Sequence, residues 1–327
     1  MMDRLRFWSI LVSLGAISCG AMTADSADEE TATEDPAVEV TPPANCAAGT
    51  GPGTDHGARD CATATAAALP GLGNVSAATA VDSIAIKVAT ATCPAGQRVL
   101  GGGARLTIVT GEVSITRLSP TAAGDGYQAQ ASEDRDGFTG AWGLQVTAIC
   151  ADPPPGYAIA TATSAPASTP DATVTVACPA GTQVIGSGGG VSPSNGFVLL
   201  SNITPLGTTA PVRVSALGSE SRGGFTDNWT VQAWAICTSP IAGENVVSTA
   251  GATNSTSPKT TTAVCPTGQS VHSLGFQLGG SLPDLFLNAA FPSPQSPVGT
   301  SVPVTFSEGQ GGLVGFWSIR TIAICAP

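Results

Sequence analysis

The sequence predicts an all-β fold of three tandem, disulfide-closed, antiparallel β-sandwich-like repeats, and three observations predict it. The first is composition. Of 327 residues, 42% are hydrophobic and 11% charged, with 40 Gly and 25 Pro. Thr, Val and Ser are frequent and no long stretch of Ala, Leu, Glu and Lys occurs, which favours strands joined by turns over helices. The second is repetition. Ser132 to Cys150 (SEDRDGFTGAWGLQVTAIC), Ser219 to Cys237 (SESRGGFTDNWTVQAWAIC) and Ser307 to Cys325 (SEGQGGLVGFWSIRTIAIC) align without a gap, with seven of nineteen positions identical in all three. The third is the placing of cysteines, six of which occupy the same two positions in each copy.

Residues 1–19 carry Arg4 and Arg6 ahead of an apolar run from Phe7 to Ile17. That is the layout of a secretory signal, too short to span a bilayer comfortably. The run ends in Ala16, Ile17, Ser18 and Cys19, which resembles the lipobox of bacterial lipoproteins, with Ala16 in place of the usual leucine. The resemblance implies that Cys19 is acylated and that the exported chain is anchored to a membrane. The competing reading is an ordinary signal peptide cut near Ala21, which would leave the chain secreted.

Residues 20–45 hold seven carboxylates, no basic residue and no aromatic one, so they cannot form a core and read as a disordered acidic tether. Fully extended, the tether would reach on the order of 85 Å. Of the net charge of −11, the signal contributes +1, the tether −7 and residues 46–327 only −5. With two lysines and scattered arginines, the folded part offers no basic stripe for a phosphate backbone, so nucleic acid is not an expected partner.

Residues 46–74 form an N-terminal segment containing Cys46 and Cys61, and the repeats occupy 75–156, 157–240 and 241–327. Each opens with a second shared block: CPAGQRVLGGG from Cys93, CPAGTQVIGSGGG from Cys178 and CPTGQSVHSLG from Cys265. In the closing block Trp142, Leu144, Val146, Ala148 and Cys150 alternate onto one face, as do their equivalents in the other copies, so that face is core. Short β-rich runs upstream bring the count to five or six strands per unit. The glycines at 101–103 and 188–190 predict a bulge or a close backbone approach inside a strand. Whether the units sit as beads or around one pseudo-threefold axis is not legible from these patterns.

One pairing rule serves all three copies: Cys93 with Cys150, Cys178 with Cys237 and Cys265 with Cys325, leaving Cys46 for Cys61. The rival rule joins adjacent repeats and strands Cys93 and Cys325. Paired cysteines fit an oxidising compartment.

The pattern C-P-[AT]-G-x-x-V, then glycines, a late Trp and a closing A-I-C, resembles a repeat of uncharacterised secreted bacterial proteins. It covers residues 75–327 and implies location and architecture rather than activity. CPTGQSVHSLGFQL from Cys265 is also similar to the repeats of vitelline membrane outer layer proteins. That similarity implies, as an alternative architecture, a single pseudo-threefold β-prism of three sheets.

Sites for chemistry are sparse. No HExxH, GxSxG, phosphate-loop or zinc spacing occurs, and no cofactor or metal is expected. His272 replaces Leu100 and Ile185 of the sister repeats and reads as a substitution in or near the core. His56, near Asp55 and Asp60, reads as part of a solvated loop. Glu133, Glu220 and Glu308, each nine residues before the tryptophan, are candidate ligand contacts for sugar hydroxyls or, with Asp134 and Asp136, for Ca²⁺. The competing reading is a turn carboxylate that accepts backbone N–H bonds or pairs with Arg135 or Arg222. Trp142, Trp229 and Trp317 are expected in the core beside the disulfide. Trp234 points to the opposite face from Trp229 and is a further candidate contact, with packing between repeats as the competing reading. These residues favour a non-catalytic structural or adhesive surface protein, with an envelope polysaccharide or a surface protein as partner. The alternative is a carbohydrate-active enzyme or its accessory module, which needs two carboxylates converging in a cleft.

Overall fold

The computed structural model describes residues 67–327 apart from 208–209, 281–282 and 295–297. Cys19, the 20–45 tether, His56 and the Cys46 and Cys61 pair lie outside the described residues. Among the described residues there are eighteen strands and no helix, and together they belong to one compact unit.

Six strands come from each repeat. The first supplies β1 (Gly73–Ala78), β2 (Ile86–Thr92), β3 (Arg98–Leu106), β4 (Val113–Pro120), β5 (Gly126–Glu133) and β6 (Leu144–Ala151). The second supplies β7 (Ala158–Thr163), β8 (Asp171–Ala177), β9 (Gln183–Ser192), β10 (Val198–Leu206), β11 (Arg213–Glu220) and β12 (Thr230–Thr238). The third supplies β13 (Asn245–Ala250), β14 (Lys259–Val264), β15 (Ser270–Gly280), β16 (Leu285–Ala290), β17 (Ser301–Glu308) and β18 (Trp317–Ala326).

Within the first repeat the strands form two antiparallel layers, β1-β6-β3 and β2-β5-β4, packed face to face. Strand alternation explains the packing. Trp142, Leu144, Val146, Ala148 and Cys150 are all buried between the layers, and period-two spacing puts them on one side of β6. The other repeats follow the same plan, with Trp229 to Cys237 and Trp317 to Cys325 buried in turn. Cys93, just past β2, bonds Cys150 on β6, so the disulfide staples one layer to the other. Cys178–Cys237 and Cys265–Cys325 do the same, each with Cα atoms 5.7 Å apart.

The layers do not stop at the repeat boundary. Sheet I runs β1-β6-β3-β16-β17-β14, sheet II β2-β5-β4-β9-β12-β7 and sheet III β13-β18-β15-β10-β11-β8. Each six-stranded sheet is therefore half one repeat and half another. The joins fall at equivalent residues: Ala104 with Ala290, Gly189 with Leu118 and Phe276 with Ile203, each with one flanking pair. The repeats are sandwich-like individually and are fused collectively into one pseudo-threefold body of three sheets.

Close approach at the joins explains the second of the two glycines shared by the three opening blocks. A Cβ at Gly103 would come within 2.2 Å of the Ala290 carbonyl, at Gly188 within 2.7 Å of Leu118 O and at Gly275 within 2.6 Å of Ile203 O. The same strands carry a register shift that leaves Leu100, Ile185 and His272 unpaired, the bulge that the glycine runs predict. Beside it a Cβ at Gly186 would fall 1.9 Å from Leu100 O, so two repeats pass each other there with no room for a side chain. All three bulged side chains are fully buried.

Candidate binding groove on the outer face of a shared sheet

Three constellations have to be weighed, and the repeated glutamates come first. Glu133 Oε1 accepts the indole N–H of Trp142 at 2.9 Å and its Oε2 accepts the Phe138 N–H at 3.1 Å. Glu220 holds Trp229 and Phe225 at 3.1 Å each. Glu308 holds Trp317 at 2.6 Å and Leu313 at 2.9 Å. Both oxygens of every glutamate thus tie the strand end to the loop that follows and to the buried indole. Indole N–H groups need such a partner when buried. The tryptophans are core, but they lie at the opposite end of the strand from the disulfide rather than beside it, eight residues away in each copy.

The two lysines of the folded part complete this motif, a role that composition alone did not suggest. Lys87 Nζ lies 5.0 Å over the Trp142 ring and Lys259 Nζ lies 3.8 Å over that of Trp317. They occupy equivalent positions 172 residues apart, and the repeat register was the signal that linked them. The second repeat has Ala172 there, and Trp229 Nε1 instead gains the Thr169 carbonyl at 3.1 Å.

A cavity of about 250 Å³ lies where the loops after β5, β11 and β17 meet. Arg135, Arg222 and Gln310, which line it, hold the repeats together. Arg135 reaches from the first repeat to the second, over the Phe197 ring at 5.2 Å and to Gly223 O at 3.4 Å. Arg222 reaches from the second to the third, with Nε 3.1 Å from Asp284 Oδ2. Gln310 reaches from the third back to the first and donates to Glu112. These arginines therefore do not pair with the glutamates two residues before them, as the sequence allowed. Asp134 is pushed up to about 6, first by burial and then by the neighbouring Asp136 carboxylate, while its Oδ1 accepts the Gly137 N–H at 3.1 Å. Asp134 and Asp136 share one turn, and both line this cavity together with Asp284. Among the described residues no group of three or more His, Cys, Asp or Glu side chains is arranged to hold a metal ion.

The third constellation is a groove of about 440 Å³ on the outer face of sheet II, spanning the join between the first and second repeats. Trp234 stands half-buried on β12, turned away from the core as its alternation with Trp229 requires. Arg117 comes from β4 of the other repeat, its guanidinium 5.5 Å from the Trp234 ring centroid. Between them runs β9, whose residues facing this side are Gly188 and Gly190. A Cβ at Gly188 would sit 3.3 Å from Trp234 Cβ, and one at Gly190 3.1 Å from Arg117 Cγ. The glycines leave room for the Trp234 and Arg117 side chains to pack across β9, and Ser119, Gln128 and Thr161 add polar edges to the groove beside them.

The sister sheets lack this combination. Trp234 is replaced by Thr147 in sheet I and by Ile322 in sheet III. In sheet I, Arg105 lies over Phe291 at 5.2 Å and donates to Gln145 at 2.8 Å. In sheet III, Arg320 donates to Ser248 through both Nε and Nη2. Arg117 escaped notice in the sequence because it lies 117 residues from Trp234, and only the sheet join brings the two together.

Fold and groove together define an all-β body of three fused, disulfide-closed repeats with an aromatic and cationic groove on one sheet face. No protein-family model matches the chain, and no curated protein is found to be similar to it. The three intramolecular disulfides indicate an oxidising environment, extracellular or periplasmic.

Proposed function

We propose that this chain is an exported, non-catalytic binding protein, held at the cell surface by an acylated Cys19 and the 20–45 tether, and that its β-body captures a polysaccharide in the sheet II groove. The single observation that carries this reading is Trp234, a large, partly exposed aromatic ring that lines a groove beside Arg117 and polar side chains. An indole face beside hydrogen-bonding side chains suits the apolar face and hydroxyl rim of a sugar ring. The hydrogen bonding of Glu133, Glu220 and Glu308 supports a non-catalytic role, since each is occupied by its own loop. Hydrolysis of a glycosidic bond requires two carboxylates roughly 5 to 10 Å apart across a cleft.

The test is retention of the full chain on immobilised envelope polysaccharides, with Trp234→Ala beside it. Binding that saturates, falls at least tenfold in Trp234→Ala and leaves polymer length unchanged is the expected result. Retention indifferent to Trp234, or shortening of the polymer, would overturn the reading.

A further inference from the structure

We infer that the ligand of the sheet II groove is an acidic polysaccharide, one whose stacked sugar carries a carboxylate, and that Arg117 reads that carboxylate. The inference rests on the reading that the groove holds a saccharide, and it adds the ligand's charge.

The argument starts from what Arg117 lacks. A guanidinium has five N–H donors. Among the described residues Arg117 uses one, from Nη2 to Gln232 Oε1 at 2.9 Å, and its Nε is buried without a partner. No carboxylate lines the groove, so the cation has only a neutral amide and an indole face for company. The positions equivalent to Arg117 are Asn202 and Ala289, and the arginines near the same face of the other sheets are better partnered: Arg320 makes two hydrogen bonds to Ser248, and Arg105 uses its Nε on Gln145. A partly buried cation with donors to spare in an otherwise acidic protein is an arrangement that an entering anion completes, and a carboxylate matches the planar fork of arginine with two parallel hydrogen bonds.

Position selects the carrier. The guanidinium lies 5.5 Å from the centre of the Trp234 ring, so a sugar resting on the indole meets the cation with a group borne on its own ring. A uronic acid, with its carboxylate attached directly to the pyranose ring, satisfies both contacts with a single residue. Without side chains at Gly188 and Gly190, the ring and the guanidinium can approach each other across β9. Because neither sister sheet pairs a tryptophan with such an arginine, one site per chain is expected.

Polygalacturonate, its methyl ester, dextran and dextran sulfate, each titrated against the full chain and its variants, test the inference. The expected result is binding to polygalacturonate that weakens about tenfold or more on methyl esterification and with rising salt, at one site per chain. Arg117→Gln should abolish the preference for the free acid while retaining weak binding to both forms, Arg117→Lys should restore it only in part, and Trp234→Ala should lose both polymers. Equal binding of acid and ester, with Arg117→Gln inert, would overturn the role of Arg117 while leaving a saccharide groove in place. Dextran sulfate binding as tightly as polygalacturonate would overturn the carboxylate assignment. Failure of every polymer to bind, with native far-ultraviolet circular dichroism, would overturn the groove reading itself and favour a protein partner.

Discussion

At position 272 the third repeat places an imidazole where its sisters have Leu100 and Ile185, and the side chain is fully buried with neither ring nitrogen bonded. Burial lowers its pKa to about 4. The unfolded chain takes up that proton near pH 6.5, so between these values the unfolded state binds more protons and stability rises with pH. The contribution is fully present above about pH 6.5 and is lost as pH falls through 4, up to about 3 kcal/mol in all. Glu244, raised by burial to about 7, acts in the opposite sense, since its protonated form is favoured in the fold and stability falls as pH climbs from about 4.5 to 7. The raw pH profile therefore mixes the two groups, and His272→Leu separates them. Urea midpoints at pH 7.5 and pH 4 should show the variant more stable than the parent at both, with the larger gain at pH 4. A gain that does not grow toward low pH would mean that His272 is not the titrating group.

Among the elements, β3, β9 and β15 carry the fold, because each ends one repeat's layer and begins another's. The glycine that lets them pass can be tested directly. Gly275→Ala would push a methyl group to 2.6 Å from the Ile203 carbonyl, and overpacking of this kind costs about 2–3 kcal/mol. Gly73→Ala, with its nearest heavy atom at 3.9 Å, should change the denaturant midpoint by less than about 0.5 kcal/mol equivalent. Equal effects at the two sites would refute the close approach. The same strands show what a sequence discloses. Alternation in Trp142 to Cys150 and the glycine runs are local signals, and both the buried face and the bulge were legible. The joins are not local. Each consists of two residue pairs between repeats, too few to leave a periodicity of their own. For the same reason Trp234 could be singled out by its face, whereas Arg117, across the join, could not.

At the scale of the whole molecule, shared sheets predict shared melting. In three separate sandwiches, Cys150→Ser would weaken the first alone. Here half of that repeat's strands lie in a sheet with the second repeat and half in a sheet with the third, so its loss exposes the cores of both. Opening a loop of 57 residues removes about 4 kcal/mol in the chain-entropy model. Calorimetry should show one transition, displaced as a whole to lower temperature. A split trace with a fraction of the enthalpy unmoved would mean that the repeats melt independently.

The equivalence of the repeats also fixes how their ends meet. Asp152 and Pro153 are consecutive at the passage from the first repeat to the second, as Ser239 and Pro240 are at the next. By the same register Pro327 corresponds to Asp152 and Ala68 to Pro153, with Gly71, Gly156 and Gly243 all holding the positive φ of one shared turn. By this register, a peptide bond between Pro327 and Ala68 is expected to close the body into a ring of three links. Cut at either of the other passages, that ring should give circular permutants with the same sheets, disulfides and groove, which a thiol count and far-ultraviolet circular dichroism of the permuted chain would check.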